Sequence, residues 1–157
     1  MPWRARQIVH HPLRRRGGRP QLKRDPLGGT TGGTHLMPFP LDTILKRFES
    51  PDEVREFEKG RLELVRIAGQ TLGRATYQPG WKWSLHVGPR VNARRCSTEH
   101  LGIVLAGHAT AAFDDGRVFD LTPGTVFYIP PEPHDSWVVG DGPYVSLHLL
   151  GADGYAK

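Results

Sequence analysis

The sequence holds a single cysteine, Cys96, so no internal disulfide can form. That usage fits a reducing compartment, and a cytoplasmic protein is the expectation. No run of about 18 apolar residues is present, so no membrane-spanning helix is expected. The N-terminus is Arg-rich but lacks the apolar stretch of a secretory signal. No repeat of solenoid length is present either. Excess basic charge is missing from most of the chain. Residues 1–36 hold eight of the 21 Lys and Arg and one acid, Asp25, whereas the rest is mildly acidic. Those 36 residues are also poor in apolar side chains and rich in Arg, Gly and Pro, so they read as a disordered basic tail. Nucleic-acid binding through that tail is the weakest functional reading. Its only aromatic residue is Trp3, and stacking or groove-fitting elements are otherwise lacking.

Amphipathic sequence begins at Met37. Residues 37–60 read as an N-terminal helical segment. In "LDTILKRFE", Leu41, Ile44, Leu45 and Phe48 share a helical face. In "SPDEVREFEKG", Ser50 is placed as an N-cap, Pro51 at the first helical position, Glu53 in a capping box and Gly60 past the end. From residue 61 to 157 the hydrophobic period becomes two. "WKWSLHV" puts Trp81, Trp83, Leu85 and Val87 on one side and His86 on the other. "HLGIVLAG", "HATAAF", "RVFDL", "TVFYI", "SWVVG" and "YVSLHLLG" follow, separated by Gly, Pro and Asp turns. About eight short strands at this spacing predict an all-β sandwich or small barrel.

Five histidines lie in that β region: His86, His100, His108, His134 and His148. Cys96 and His100, four residues apart, point the same way on a regular strand. His134 sits in "PPEPHD", where three prolines stiffen the backbone. Ser146 and His148 form a polar pair on one side of the last strand. Taken singly, each has an ordinary structural explanation, such as a buried thiol or a histidine bonded to a carbonyl. Several inward imidazoles can instead satisfy one another through a metal ion, which needs three or four N, S or O ligands.

The order and spacing of these pieces resemble the cupin superfamily from about Tyr77 to Leu150. Gly80, five residues and His86 match the start of its first motif, and His100, six residues and Gly107 match its end, with His100 where a glutamate is usual. The intervening sequence is longer than the pattern and contains no H-x-H. In one alignment His86 is the first motif histidine. In another, counted back from His100, Cys96 takes the second-histidine position and Arg94 the first. Gly124 followed by "PPEPH" is similar to the second motif and makes His134 its ligand. A subgroup of small, stand-alone bacterial cupins has similar text. The resemblance implies a jelly-roll β-barrel, a divalent metal and often a homodimer. The implied metal set is Cys96, His100 and His134, with His86 as the fourth. His148, Trp83, Tyr128 and Trp137 are the implied ligand-binding groups. A thiol in place of a carboxylate shifts preference from Mn toward Zn, Fe(II) or Cu. The implied functions are a metal-dependent oxygenase or isomerase on a small organic molecule, or a non-catalytic sensor of a metal or small ligand.

Overall fold

The computed structural model describes residues 42–157. The basic tail, its boundary near Met37 and Leu41 therefore lie outside the described residues. Nine strands form two antiparallel sheets. They are β1 (Glu53–Phe57), β2 (Gly60–Ile67), β3 (Gln70–Tyr77), β4 (His100–Ala106), β5 (His108–Phe113), β6 (Val118–Leu121), β7 (Val126–Ile129), β8 (His134–Val139) and β9 (Tyr144–Leu150). One sheet runs β1-β2-β3-β9-β4-β7 and the other β6-β5-β8. Insertion of β9 between β3 and β4 brings the end of the chain into the middle of the larger sheet. No described helix is long and apolar enough to cross a membrane.

Strands β4, β7 and β9 alternate between the interior and the outside. His100, Gly102 and Val104 face inward, as do Phe127 and Ile129 on β7. Tyr144, Ser146 and His148 face inward on β9. Leu62, Leu64, Ala75, Trp81 and Val87 fill the core between the sheets. Gly107 (φ 72°) makes the tight turn from β4 to β5, where a Cβ would lie 2.2 Å from the Pro143 carbonyl oxygen.

Three expectations are corrected. The segment from Ser50 to Gly60 is not a helix but a strand entering a hairpin, with Phe57 paired to Gly60 across Glu58 and Lys59. Arg55 and Phe57 alternate inward, a period of two that the capping signals obscured. The Arg55 guanidinium donates to the carbonyls of Ala152 and Tyr155. Asp52, expected in a first helical turn, instead accepts the backbone N–H of Arg66 at 2.6 Å. Tertiary pairing with β2 thus overrides the local helix signal. Nor does the sequence before it form helical turns. Ile44 and Leu45 are exposed, and only a bend and turn are present there.

"WKWSLHV" is likewise not a strand. Trp83–His86 is a single helical turn, α1, and Gly88–Val91 continues as a 3-10 turn. Asp135 on β8 decides this. Its carboxylate accepts the Ser84 backbone N–H at 3.0 Å and the Ser84 hydroxyl at 2.8 Å. An otherwise orphaned donor at the helix start is thereby satisfied. Trp83 and Val87, four residues apart, both turn inward, while Leu85 is 65% exposed.

Gly102 faces Phe127 on one neighbouring strand and His148 on the other. A Cβ there would lie 2.3 Å from the Leu147 carbonyl oxygen and 2.6 Å from Phe127 Cζ. The Gly102→Ala variant should therefore lose stability by about 1–3 kcal/mol through overpacking, read as a lower urea midpoint with an unchanged slope.

Candidate metal centre

Cys96 lies outside the named strands, yet it is tied to the first residue of β8. Its N–H donates to the His134 carbonyl at 2.9 Å, and the His134 N–H donates back at 2.9 Å. Two residues that exchange both hydrogen bonds in an antiparallel bridge place their side chains on the same side. Both point into the barrel. Four residues later His100 opens β4, and its Nε2 lies 3.4 Å from Cys96 Sγ. The ligand atoms of Cys96, His100 and His134 all fall within 4.8 Å of one another, and all three residues are buried. A tetrahedral metal with ordinary Zn–S and Zn–N bonds needs its S and N ligands about 3.6 Å apart. The Cys96–His100 pair already meets that spacing, and His134 offers its nitrogen within 4.8 Å of both.

The proline loop sets the His134 tautomer. Nδ1–H donates to the Glu132 carbonyl at 2.7 Å, which leaves the Nε2 lone pair for the interior. His100 Nδ1, by contrast, is buried with no hydrogen-bond partner. Gly151 (φ 86°) brings the chain past this imidazole, where a Cβ would lie 1.9 Å from the Glu99 carbonyl oxygen. Tyr155 then closes edge-on against the His100 ring, 5.6 Å between centroids.

The other expected site residues divide. His148 shares the interior, its ring 5.4 Å from that of His100, with Nε2 3.1 Å from the Ser146 hydroxyl. Trp83 lines the same cavity, which measures about 40 Å³. His86 does not reach it. Residence on α1 instead of a strand turns its ring so that Nδ1 lies 2.9 Å from the Lys82 backbone and Nε2 4.0 Å from Glu58. The alignment that gives Cys96 the second motif position fits at that residue, although Arg94, its first position, is exposed and away from the cavity, and the one that begins at His86 does not fit. Tyr128 alternates with the inward Phe127 and Ile129, so it faces outward, 58% exposed, and donates its hydroxyl hydrogen to Glu99. Trp137 points outward between Ser136 and Val138, under the Lys82 ammonium. Glu132 pairs with Arg117 at the surface. Tyr77, Tyr144 and Tyr155 line the cavity and were not expected there. Alternation in "RATYQ" and "PYVSLH" could have placed the first two. Tyr155 follows the last strand and leaves no periodic signal.

Burial dominates the electrostatics. It pushes His100 down to about 2, with His148 and His134 adding to the effect. It pushes His148 down to about 4. His134 is lowered by burial, against the pull of the Glu132 carbonyl. The Cys96 thiol is raised by burial, against hydrogen bonds from Thr98. Without a metal, the three donors are a neutral thiol and two neutral imidazoles.

This carries a cost in acid. An unfolded histidine takes up a proton near pH 6.5, whereas folded His100 and His148 resist it until about 2 and about 4. The stability from these groups is complete above pH 6.5 and drains away as the pH falls. For metal-free protein between about pH 5.5 and 4.5, the slope should approach two protons, or about 2.7 kcal/mol per pH unit. Urea unfolding across that range measures it, and the His100→Asn variant should lose about one proton from the slope.

Residues 87–151 match the family described as the AraC-like ligand binding domain. No curated protein matches the sequence. Among solved structures, a protein of unknown function from Rhizobium leguminosarum bv. viciae 3841 is 16% identical with a TM-score of 0.46, over 59% of this chain and 80% of its own. A sugar phosphate isomerase from a cupin superfamily, from Silicibacter pomeroyi DSS-3, is 21% identical with a TM-score of 0.43, over 58% of each chain. A mutant of the oxalate decarboxylase of Bacillus subtilis is 24% identical with a TM-score of 0.47, over 66% of this chain and 28% of its own. The present chain thus spans less than two thirds of the isomerase and of the decarboxylase. Two antiparallel sheets fold around an inward group of histidines, and the match to the AraC-like ligand binding domain runs through the strands that carry three of them, so the described residues have the two-sheet cupin sandwich fold.

Proposed function

We propose that this cupin binds one divalent transition metal through Cys96 Sγ, His100 Nε2 and His134 Nε2, and holds a small ligand at the remaining coordination position. The observation that carries this reading is the convergence of three buried donor atoms from two separate parts of the chain. One soft thiolate and two imidazoles favour Zn, Fe(II) or Cu over Mn. Three protein ligands leave a position open, and the cavity lies beside it. A bound metal there would supply Lewis acidity to a coordinated oxygen. His148, neutral at ordinary pH, is the nearest additional group that can accept a proton.

The match to an AraC-like ligand binding domain favours the non-catalytic form of this function, a module that binds or senses a small molecule. The open coordination position favours a second reading, an oxygenase or isomerase acting on a small organic substrate. Single-turnover assays with metal-loaded protein separate the two, because a sensor returns its ligand unchanged.

Metal analysis of protein purified without a His-tag should find about one Zn or Fe per chain, as a single open cupin site requires. His134→Ala and Cys96→Ser should each weaken binding at least tenfold, read by competition with a chromogenic chelator. Because the thiol is protonated beforehand, binding near pH 7 should release about one proton, measured by titration calorimetry in buffers of different ionisation enthalpy. Wild-type affinity in the Cys96→Ser variant would refute the assignment.

A further inference from the structure

Trp81 and Trp83 flank Lys82 at the entrance to α1, and both line the cavity beside the metal-ligating trio. They are 1% and 4% exposed, and neither indole Nε1–H has a hydrogen-bond partner among the described residues. Trp81 is fixed by stacking on Tyr77, with centroids 3.8 Å apart and planes within 4°. Trp83 is fixed by Gly88, where a Cβ would lie 3.2 Å from Cζ3. By the covalent geometry of indole, the opposite edge carries Nε1. An indole N–H can only donate, so a partner for it must be an acceptor. Buried donors left unpaired are uncommon, and two on residues that line one cavity call for a common cause.

Charge points the same way. A divalent ion bound by one thiolate and two neutral imidazoles retains a net charge of about +1. No Asp or Glu is among the residues lining the cavity. Its other polar groups are already engaged or uncharged. Ser146 and His148 bond each other, and burial raises Tyr144 to about 12, which keeps its hydroxyl neutral. The cavity of about 40 Å³ has room for a few non-hydrogen atoms and no more.

The geometry points to a small carboxylate, of formate or acetate size, as the ligand of this site. One oxygen would take the open metal position, and acceptor lone pairs would face Trp81 Nε1–H and Trp83 Nε1–H. This inference rests on the metal-binding reading above and specifies its ligand class.

The test uses the full chain loaded with Co(II). A thiolate-to-cobalt charge-transfer band that is absent from Cys96→Ser reports the metal site itself. Formate and acetate are then titrated at constant ionic strength, with formamide as the uncharged control. Saturable change in the cobalt visible bands is expected for the carboxylates and not for formamide. Trp81→Phe and Trp83→Phe keep the ring and remove the donor. Each should retain the charge-transfer band while raising the formate Kd about tenfold or more. In wild-type protein labelled with 15N at the indole nitrogens, two of the four Nε1–H resonances should move with formate. That readout stands even if a Phe variant folds poorly. If the charge-transfer band forms but carboxylates leave the visible bands and the indole resonances unchanged, the ligand assignment falls and the metal reading stands. Failure of the band to form overturns both.

Discussion

The reciprocal backbone hydrogen bonds between Cys96 and His134 are the constraint on which the interior depends. They join an irregular stretch to the start of β8, and they set the two residues directly opposite each other, so that both side chains point inward. His100 is then placed by the strand that begins four residues on. Without this bridge the thiol would belong to a free loop, and the two imidazoles would be neighbours in an ordinary core. The proline loop contributes by fixing the His134 tautomer from outside the barrel. Backbone geometry therefore prepares the donor set before any ion is considered.

That donor set is uncharged as it folds. A carboxylate in the same position would have to be buried ionised or be forced to hold its proton, and either choice is unfavourable inside a barrel. The thiol and imidazoles avoid the problem by staying neutral, at the expense of proton sensitivity when the pH falls. His100 shows the residual strain of the arrangement, because its second nitrogen is buried without a partner. Aromatic walls surround this polar centre and supply packing where the polar groups do not.

Much of the β region was legible in the sequence. Alternation in "HLGIVLAG" and "YVSLHLLG" grouped His100, Gly102 and Val104 on β4 and Ser146 and His148 on β9 as they are found, although Ala106, grouped with the first set, is exposed, and the Gly turns separated the strands. Two segments misled for the same reason. "SPDEVREFEKG" carries strong local helix signals, yet a neighbouring strand and the buried Arg55 hold it extended. "WKWSLHV" alternates like a strand, yet Asp135, distant in sequence, bends it into a helical turn. Both outcomes were decided by partners that no local window contains. The candidate site was legible where chemistry was local, as in the four-residue spacing of Cys96 and His100, or where a rigid loop marked His134. It failed for His86 and Trp137 because their directions depend on those tertiary decisions. Tyr128 failed because the one-residue phase of β7 was not fixed beforehand.

Asp135 sits next to His134 in the chain and also anchors α1, the turn that carries Trp83. One carboxylate thereby acts as a hinge pin shared by two walls of the same chamber. Asp135 thus joins the strand that carries His134 to the short helix that carries Trp83. The barrel's outer surface carries the far end of the linkage, where Lys82 and Arg95 approach the same carboxylate. The strand of His134, the short helix and two surface cations therefore share one charged group.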